Sequence, residues 1–312
     1  MTMDVSVVLV SYNVRRFLVD CLLSLKRETS SGYEIIVVDN GSEDRSAEVI
    51  RSKHPDAILI QNKDNVGFAR ANNQAFHVSR GRYVFMLNPD TVILNGAIDK
   101  LVRFMDEHPD AGACGPKNLG PDLSLQLNCH HFPSLSMAIL EHLQLSRLFP
   151  KNSFFGREHM TYWRHDRIME VDWITGCSLM IRKDSLDQCG LLDENYFLYT
   201  EECDLSYRLR KRGLKTYFVP AAAIVHYGGQ SSLSQSSLPV HSGTITHHLY
   251  ETRYYFFRKN YGITRELLLR FIDTLYFGAR LLKNMVFITN KDRKINMSEA
   301  RAVLDVTLGR NR

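Results

Sequence analysis

Asp90 stands where a carboxylate could bind a ligand, just past the end of a predicted buried strand. Tyr83–Leu87 is a short apolar and aromatic run of strand length, and Asn88 and Pro89 end it. In open α/β sheets, ligands bind in the crevice outside the carboxyl ends of the strands. Asp90 is therefore a candidate ligand-binding acid, although an Asp in such a position often serves only to form a turn.

A second group of titratable residues lies later in the chain. Glu201, Glu202 and Asp204 form a dense acidic cluster before a basic helix predicted over residues 205–212. Acids at a helix start complement the helix dipole, and a carboxylate can also act as the general base that deprotonates an attacking hydroxyl. His226 follows a short apolar strand, and it is either a hydrogen-bonded structural histidine or a metal ligand.

The common glycine-rich phosphate loops are absent from the sequence. Neither G-x-G-x-x-G after the first predicted strand nor G-x-x-x-x-G-K-[ST] occurs. An α/β nucleotide-binding protein without these loops must bind phosphates in another way, and a divalent cation bound by a carboxylate is the obvious substitute.

The predicted elements that position these groups alternate between strands and helices. Apolar, β-branched runs at residues 5–10, 34–38, 58–60 and 83–87 are separated by segments whose apolar residues recur at helical spacing. Runs that are apolar on both faces are typical of a parallel sheet covered by helices. We therefore predict an α/β fold with a mostly parallel sheet. A strand-like segment follows at 171–182 and two strands at 215–219 and 221–226, whereas residues 128–162 give no clear pattern.

The C-terminal region differs from the body in charge. Residues 251–312 contain thirteen Lys and Arg against six Asp and Glu, a net charge of +7, which leaves −2 for the other 250 residues. A helix is predicted over 265–288, with charged residues on one face and a wide apolar remainder. Its repeated charges argue against a membrane span. The helix either lies in a membrane interface or packs against the body or a second subunit of a homodimer.

Composition excludes several classes of protein. The hydrophobic fraction of 44% and the charged fraction of 23% are ordinary for a soluble globular protein. Six cysteines without a C-x-x-C pair argue against zinc ribbons and thioredoxin-type chemistry and favour reduced cytosolic thiols. The slightly acidic body argues against nucleic acid as a partner. The chain enters a predicted strand almost at its first residue, so no signal peptide is expected.

Seven short motifs, taken in order, resemble those of the inverting family 2 glycosyltransferases of GT-A fold. The resemblance covers roughly residues 4 to 230 and is greatest to the bacterial rhamnosyltransferase-type branch, which builds cell-envelope glycans from nucleotide-activated sugars. The motifs are Val-Ser-Tyr-Asn (10–13), Val-Val-Asp-Asn-Gly-Ser (37–42), Asn-Val-Gly-Phe-Ala-Arg-Ala-Asn-Asn (65–73), Leu-Asn-Pro-Asp-Thr (87–91), Trp-Ile-Thr-Gly (173–176), Glu-Glu-Cys-Asp-Leu (201–205) and Val-His-Tyr-Gly-Gly (225–229).

The resemblance implies a nucleotide site at the N-terminal strand ends. Asp39 would accept a hydrogen bond from the pyrimidine ring of the donor, although it could also only cap its turn. Ser11, Tyr12 and Asn13 would line the same pocket. The implied contacts nearer the nucleotide sugar and diphosphate are Asn65, Gly67 and Asn88.

The resemblance also implies a metal site and a catalytic base. Asp90 would be the metal ligand of an altered D-x-D motif, whose first acid is Asn88 here, and His226 would complete a site for Mg²⁺ or Mn²⁺. Glu202 occupies the position of the base, usually Asp in the family, with Glu201 as the alternative. On the acceptor side the family implies Gly176, Trp173, which could equally be a core residue, and Asp204, which could instead support its helix.

Together these features predict an inverting, metal-dependent glycosyltransferase. The expected donor is dTDP-rhamnose, ahead of UDP-sugars, and the expected acceptor is a lipid-linked cell-envelope glycan at the cytoplasmic face of the cell membrane. We expect a catalytic domain over 1–235 and a basic, amphipathic helical region over 236–312, the latter giving peripheral membrane association. The alternatives are a catalytically silent sugar-nucleotide-binding protein, a nucleotidyltransferase, or a transferase acting on a soluble glycan with the tail as a dimer interface.

Overall fold

The structure is a computed structural model that describes residues 3–228, 242–286 and 293–309. Twelve strands are found in these ranges. The strands are β1 (Val5–Ser11), β2 (Tyr33–Asn40), β3 (Ile58–Asn62), β4 (Tyr83–Leu87), β5 (Thr91–Leu94), β6 (Ala111–Leu119), β7 (Leu125–Gln126), β8 (Cys129–His130), β9 (Met169–Val171), β10 (Trp173–Ile174), β11 (Ser178–Arg182) and β12 (Lys215–His226).

Eleven helices are found in the same ranges. They are α1 (Arg15–Glu28), α2 (Ser46–Lys53), α3 (Phe68–Val78), α4 (Ala97–Glu107), α5 (Leu135–His142), α6 (Leu145–Leu148), α7 (Lys183–Cys189), α8 (Glu201–Lys211), α9 (Ser242–Tyr261), α10 (Ile263–Val286) and α11 (Arg293–Thr307). No helix of the described residues is both long and apolar enough to cross a bilayer.

One sheet of ten strands organises the molecule. Its main path runs β3-β2-β1-β4-β11-β6-β12-β5, with β7 beside β6 and β9 beside β12. The first four of these strands are parallel, as predicted, because a helix connects each of β1, β2 and β3 to the next strand of the chain. The α/β prediction is confirmed. Every residue of β1 and of β4 is buried, which explains why both strands are apolar on both faces.

One strand was predicted over residues 171–182, but residues 169–182 form three strands, β9, β10 and β11. β10 pairs with β8 in a separate two-stranded sheet, so the chain leaves the main sheet between β9 and β11. β11 inserts antiparallel between β4 and β6. This insertion carries the backbone of Gly176 and Cys177 past the end of β4, where Cys177 O accepts a hydrogen bond of 2.8 Å from Asn88 N.

Helix α8 begins at Glu201, four residues earlier than predicted, so all three clustered acids lie in its first turn. Helices α9, α10 and α11 pack together beside α8, around a core that includes Tyr196, Tyr254, Phe256 and Leu269. The predicted serine-rich boundary, and with it the division at 235/236, lies outside the described residues. All six cysteines are free.

Candidate active site

A cavity of about 410 Å³ lies beyond the carboxyl ends of the central strands. This volume falls within the range of small-molecule sites, roughly 300–1,000 Å³. Its wall is formed by residues from the ends of β1, β4, β6 and β12, by the loop before α3 and by the start of α8. Nine of the residues singled out in the sequence line it: Tyr12, Asn65, Gly67, Asn88, Asp90, Gly176, Glu201, Glu202 and His226.

Asp90 and His226 meet because β5 pairs antiparallel with β12. The pairing sets Thr91 opposite His226, and Tyr227 N donates a 2.9 Å hydrogen bond to Asp90 O. His226 Nε2 lies 3.5 Å from Asp90 Oδ1 and 3.5 Å from Asn88 Nδ2. Both Asp90 and Asn88 are held in a tight turn, in which Thr91 Oγ1 donates to Asn88 O at 2.7 Å.

Gln126 determines which nitrogen of His226 faces this group. Its side-chain oxygen lies 2.8 Å from His226 Nδ1, so Nδ1 carries the proton and donates it. The lone pair of Nε2 is then directed at Asp90. Two ligands of one octahedral ion lie about 3 Å apart, so the Asp90 carboxylate and a neutral His226 imidazole could hold one Mg²⁺ or Mn²⁺ between them.

Glu201 and Glu202 enter the same cavity from the first turn of α8. Tyr199 and Thr200, with φ of 73° and 75°, form the sharp left-handed bend that aims this turn inward; such strain in non-glycine residues is concentrated at functional sites. Gly176 N donates to Glu202 Oε1 at 2.9 Å. The Oε2 atoms of Glu201 and Glu202 are buried without a hydrogen-bond partner among the described residues.

Burial raises the pKa of both glutamates. The pKa of Glu201 is raised well above its ordinary value, because the neighbouring Glu202 carboxylate adds to the cost of its ionisation. Glu202 is partly compensated by hydrogen bonds from backbone N–H groups, including that of Gly176. Of the two carboxyl groups, Glu201 therefore has the greater cost of ionisation.

The loop before α3 forms another part of the wall. Asn40 Nδ2 donates to Asn65 Oδ1 at 2.8 Å, and Asn40 Oδ1 accepts from Val66 N at 3.1 Å. Gly67 has φ of +89°, and a Cβ there would come within 2.8 Å of Phe197. Only glycine fits this turn without displacing Phe197, which itself lines the cavity.

Three predicted nucleotide-site residues lie beside the cavity and do not line it. Ser11 and Asp39 are paired neighbours at the ends of β1 and β2, and both are buried. Asp39 Oδ1 accepts from Ser42 N at 3.3 Å, while Ser42 Oγ accepts from Asn13 N at 3.0 Å. Burial raises the pKa of Asp39. The structure thus places Ser11 and Asp39 at adjacent strand ends, and Asn13 in the turn after β1, where it contacts Ser42.

Neither Trp173 nor Asp204 is brought to the cavity wall. Trp173 stacks on His130 at 4.2 Å between ring centroids, and its Nε1 donates to His131 O at 3.0 Å. Trp173 is partly buried and packs against the core that includes Tyr196 and Tyr254.

Asp204 is fully buried on the far side of α8. Its carboxylate accepts hydrogen bonds from Arg208, Lys259 and Asn260 at 2.9, 2.9 and 3.0 Å. The carboxylate is fully occupied by these donors and ties α8 to the end of α9. This arrangement corresponds to the helix-supporting alternative.

Several cavity residues were missed in the sequence. Gln126 lies on a two-residue strand with no recognisable motif, so no local signal could have identified it. Phe197, Leu198 and Tyr199 belong to an aromatic run directly before the acidic cluster, and that proximity was a usable signal.

Similarity to known proteins agrees with this geometry. Residues 6–166 match the family model described as "Glycosyl transferase family 2". The chain is 30% identical over 248 residues to the N-acetylglucosaminyl-diphospho-decaprenol L-rhamnosyltransferase of Mycobacterium tuberculosis (strain ATCC 25618 / H37Rv), covering 74% of this chain and 78% of the relative. It is 24% identical over 236 residues to rhamnosyltransferase WbbL of Escherichia coli (strain K12), covering 64% and 85%.

Solved structures resemble the fold at low identity. A mannosyltransferase from Pyrobaculum calidifontis in complex with GDP-Man and Mn²⁺ aligns over 99% of this chain and 87% of its own, with a TM-score of 0.56 and 13% identity. GalNAc-T7 with UDP, GalNAc and Mn²⁺ aligns over 72% of this chain and 44% of its own, with a TM-score of 0.56 and 16% identity.

Proposed function

The chain belongs to glycosyl transferase family 2, and we propose that it transfers a sugar, with rhamnose favoured, from a pyrimidine nucleoside diphosphate to a hydroxyl of a lipid-linked cell-envelope glycan, inverting the anomeric carbon. The observation that carries this proposal is the meeting of Asp90, His226 and Glu202 in one cavity. The rhamnosyltransferase relatives support the donor, and the diphospho-decaprenol named for the mycobacterial protein supports a lipid-linked acceptor.

Asp90 and His226 form the donor-side group. Their oxygen and nitrogen atoms, 3.5 Å apart, would hold Mg²⁺ or Mn²⁺, which supplies charge neutralisation at a leaving diphosphate when bound. The solved structures of similar fold that contain Mn²⁺ support this choice of ion. Gln126 keeps the imidazole in the tautomer that presents Nε2, and Asn88 lies beside that nitrogen.

Glu202 is the proposed general base. Gly176 N–H fixes Oε1, which leaves Oε2 to take the proton of the acceptor hydroxyl. The acceptor oxygen then forms a bond to the anomeric carbon while the bond from that carbon to the diphosphate oxygen breaks. Because nucleophile and leaving group act in line in a single step, the configuration inverts. Glu201 is the alternative base, and the neighbouring Glu202 carboxylate adds to the cost of its ionisation.

The remaining assignments complete the proposal. Tyr12, Asn65 and Gly67 would contact the donor. Ser11, Asn13 and Asp39 would form the part of the donor site next to the pyrimidine ring. The catalytic domain would extend over 1–235 and the helical region over 236–312. The enzyme would act at the cytoplasmic face of the cell membrane as a peripheral protein.

A donor screen tests the proposal. dTDP-rhamnose and UDP-sugars are incubated with Mg²⁺ or Mn²⁺ and an N-acetylglucosaminyl-diphospho-polyprenol acceptor, with nucleoside diphosphate release and the product anomer as readouts. We expect turnover with dTDP-rhamnose and an inverted product. In Asp90→Ala, metal-dependent donor binding should weaken by at least about 100-fold, since the ion loses its carboxylate ligand.

The matched control is Asp56→Ala, which removes an exposed acid outside the cavity and should leave donor binding unchanged. Nucleotide-sugar binding without turnover on any acceptor would indicate a catalytically silent protein. A retained anomeric configuration would refute the single-displacement mechanism.

A further inference from the structure

Helix α10 buries charged and polar residues together with Leu269 and Phe277, and it exposes an apolar side. Glu266, Asp273 and Asn284 are buried among neighbouring helices. Glu266 accepts from Arg258 at 2.6 Å, and Asp273 interacts with His142 Nε2 at 2.6 Å. A surface helix of a globular protein ordinarily has the opposite polarity, so packing within the chain does not account for the apolar side.

The outward side of α10 is a continuous apolar stripe. Its members recur three, four or seven residues apart along most of the helix, and each is between 47% and 65% exposed. They are Leu267, Leu268, Phe271, Leu275, Leu282 and Met285. Exposed apolar patches of this extent mark sites of interaction with another molecule or a membrane.

A second exposed apolar group adjoins this stripe. It comes from α5, α6 and the segment after them, where five large side chains are between 43% and 67% exposed: Ile139, Leu143, Leu148, Phe149 and Phe154. His142 joins the two groups, because it contacts Asp273 and stacks on Tyr276 with ring centroids 4.1 Å apart. We name the stripe and this group together the apolar face.

Apart from Glu141, the exposed charges of α10 and of residues 135–157 are basic. On α10 the exposed charged residues are Arg265 and Lys283. In residues 135–157 the only acid is Glu141, which forms an ion pair with Arg253 at 3.3 Å, whereas Arg147 and Lys151 are exposed. A surface of apolar and basic side chains is complementary to a bilayer with anionic headgroups.

We propose that the apolar face lies in the interfacial region of an anionic phospholipid bilayer, with α10 and the α5–α6 segment inserted together. This inference rests on the proposed function, because a lipid-linked acceptor must be reached at the membrane. Symmetric pairing of two chains through the same face would place basic residues of one copy against basic residues of the other, and such like charges oppose association. These residues are Arg265, Lys283, Arg147 and Lys151. The bilayer is therefore the favoured occupant.

Vesicle sedimentation of the full chain tests this surface. Wild-type protein should bind vesicles containing phosphatidylglycerol and phosphatidylcholine more tightly than vesicles of phosphatidylcholine alone. The triple variant Leu268→Glu/Phe271→Glu/Leu275→Glu should lose at least about tenfold in partitioning, since three apolar side chains no longer leave water. Leu148→Glu/Phe149→Glu should also reduce binding, which distinguishes a joint face from a single helix.

The control Leu23→Glu changes an exposed leucine of α1 and should leave vesicle binding unchanged. Circular dichroism melting and dTDP release with a water-soluble acceptor analogue should be unaltered in every variant, so loss of docking is separable from loss of folding or of transfer. Equal vesicle binding by wild type and the triple variant would overturn the proposal. So would light scattering that showed a stable wild-type dimer, a monomeric triple variant and no vesicle dependence.

Discussion

The cavity and the C-terminal helices both bury acidic side chains. The two regions differ in whether both oxygens of a buried carboxyl group have hydrogen-bond partners. In the helices, Glu266 accepts from Arg258 and Arg270 at 2.6 and 2.8 Å, each on a different oxygen. In the cavity, Glu201 and Glu202 each keep one buried oxygen without a hydrogen-bond partner among the described residues.

The difference separates structural acids from reactive ones. Paired cations offset part of the desolvation cost of a buried carboxylate, and removing one partner is strongly destabilising. A buried carboxyl group without partners lowers stability and has a raised pKa, which is what a general base near neutral pH requires. Burial alone therefore does not identify a catalytic acid; the lack of a partner on an oxygen facing a cavity does.

The largest expected effect concerns Glu202. Glu202→Gln should lower turnover by about 10³-fold, because the acceptor hydroxyl loses its base. The unfolding free energy should stay constant or rise, because the amide can still accept from Gly176 N–H and no longer ionises in the interior. Glu201→Gln is the matched variant and should retain most turnover, since Glu201 is the carboxyl group with the greater cost of ionisation. Steady-state kinetics with thermal melting measures both, and the reverse ranking would make Glu201 the base.

The pH profile gives a second readout of the same pair. Turnover requires ionised Glu202, so the rate should rise with pH through a limb above the ordinary range of a glutamate, because burial raises its pKa. Stability should change in the opposite sense. The folded state holds protons that the unfolded state releases, so the pair's contribution to stability is complete below the unfolded pKa and is lost as pH rises through the folded one. An acid limb at the ordinary glutamate pKa would contradict the assignment.

A structural acid should respond in the opposite way to a catalytic one. Asp273→Asn replaces a fully buried carboxylate with a neutral amide. One carboxylate oxygen lies 2.6 Å from His142 Nε2, and the other accepts a 2.8 Å hydrogen bond from Tyr254 OH. We expect the unfolding free energy to fall by about 3 kcal/mol, with turnover per folded molecule unchanged. Urea unfolding measures the loss, and exposed Asp56→Asn is the control. Normal stability with impaired turnover would erase the distinction between the two regions.

The smallest expected effect concerns the hydrogen bond between His226 Nδ1 and Gln126. Gln126→Leu removes the acceptor of His226 Nδ1, so both tautomers become populated and Mn²⁺ affinity should fall by about 10- to 100-fold. Gln126→Glu keeps an acceptor and should restore most of the affinity. Titration calorimetry with Mn²⁺ and ¹⁵N shifts of the imidazole without metal measure these changes. An unchanged tautomer in Gln126→Leu would exclude the positioning role.

Some of the site was predictable because its signal is local. Asp90 follows a short apolar strand, and strand ends in α/β sheets meet at one edge, so its position followed from sequence order. Glu201 and Glu202 were visible as a cluster, although the helix begins earlier than its apolar pattern indicated. Gln126 was not predictable, since its contact with His226 joins residues 100 apart in the chain.

The sequence alone determined the alternation of strands and helices from β1 to β4, the basic excess of the tail and the two-faced character of α10. Tertiary structure decided which face of α10 turns inward. Periodicity defines the faces of a helix, but their direction depends on partners from distant segments, here His142, Arg258 and, for Arg280, Glu299 at 2.8 Å. These contacts satisfy the polar side in the interior, so the apolar side is left exposed. The same dependence on distant partners made Asp204 a structural acid and left Glu202, two residues earlier, with an oxygen facing the cavity.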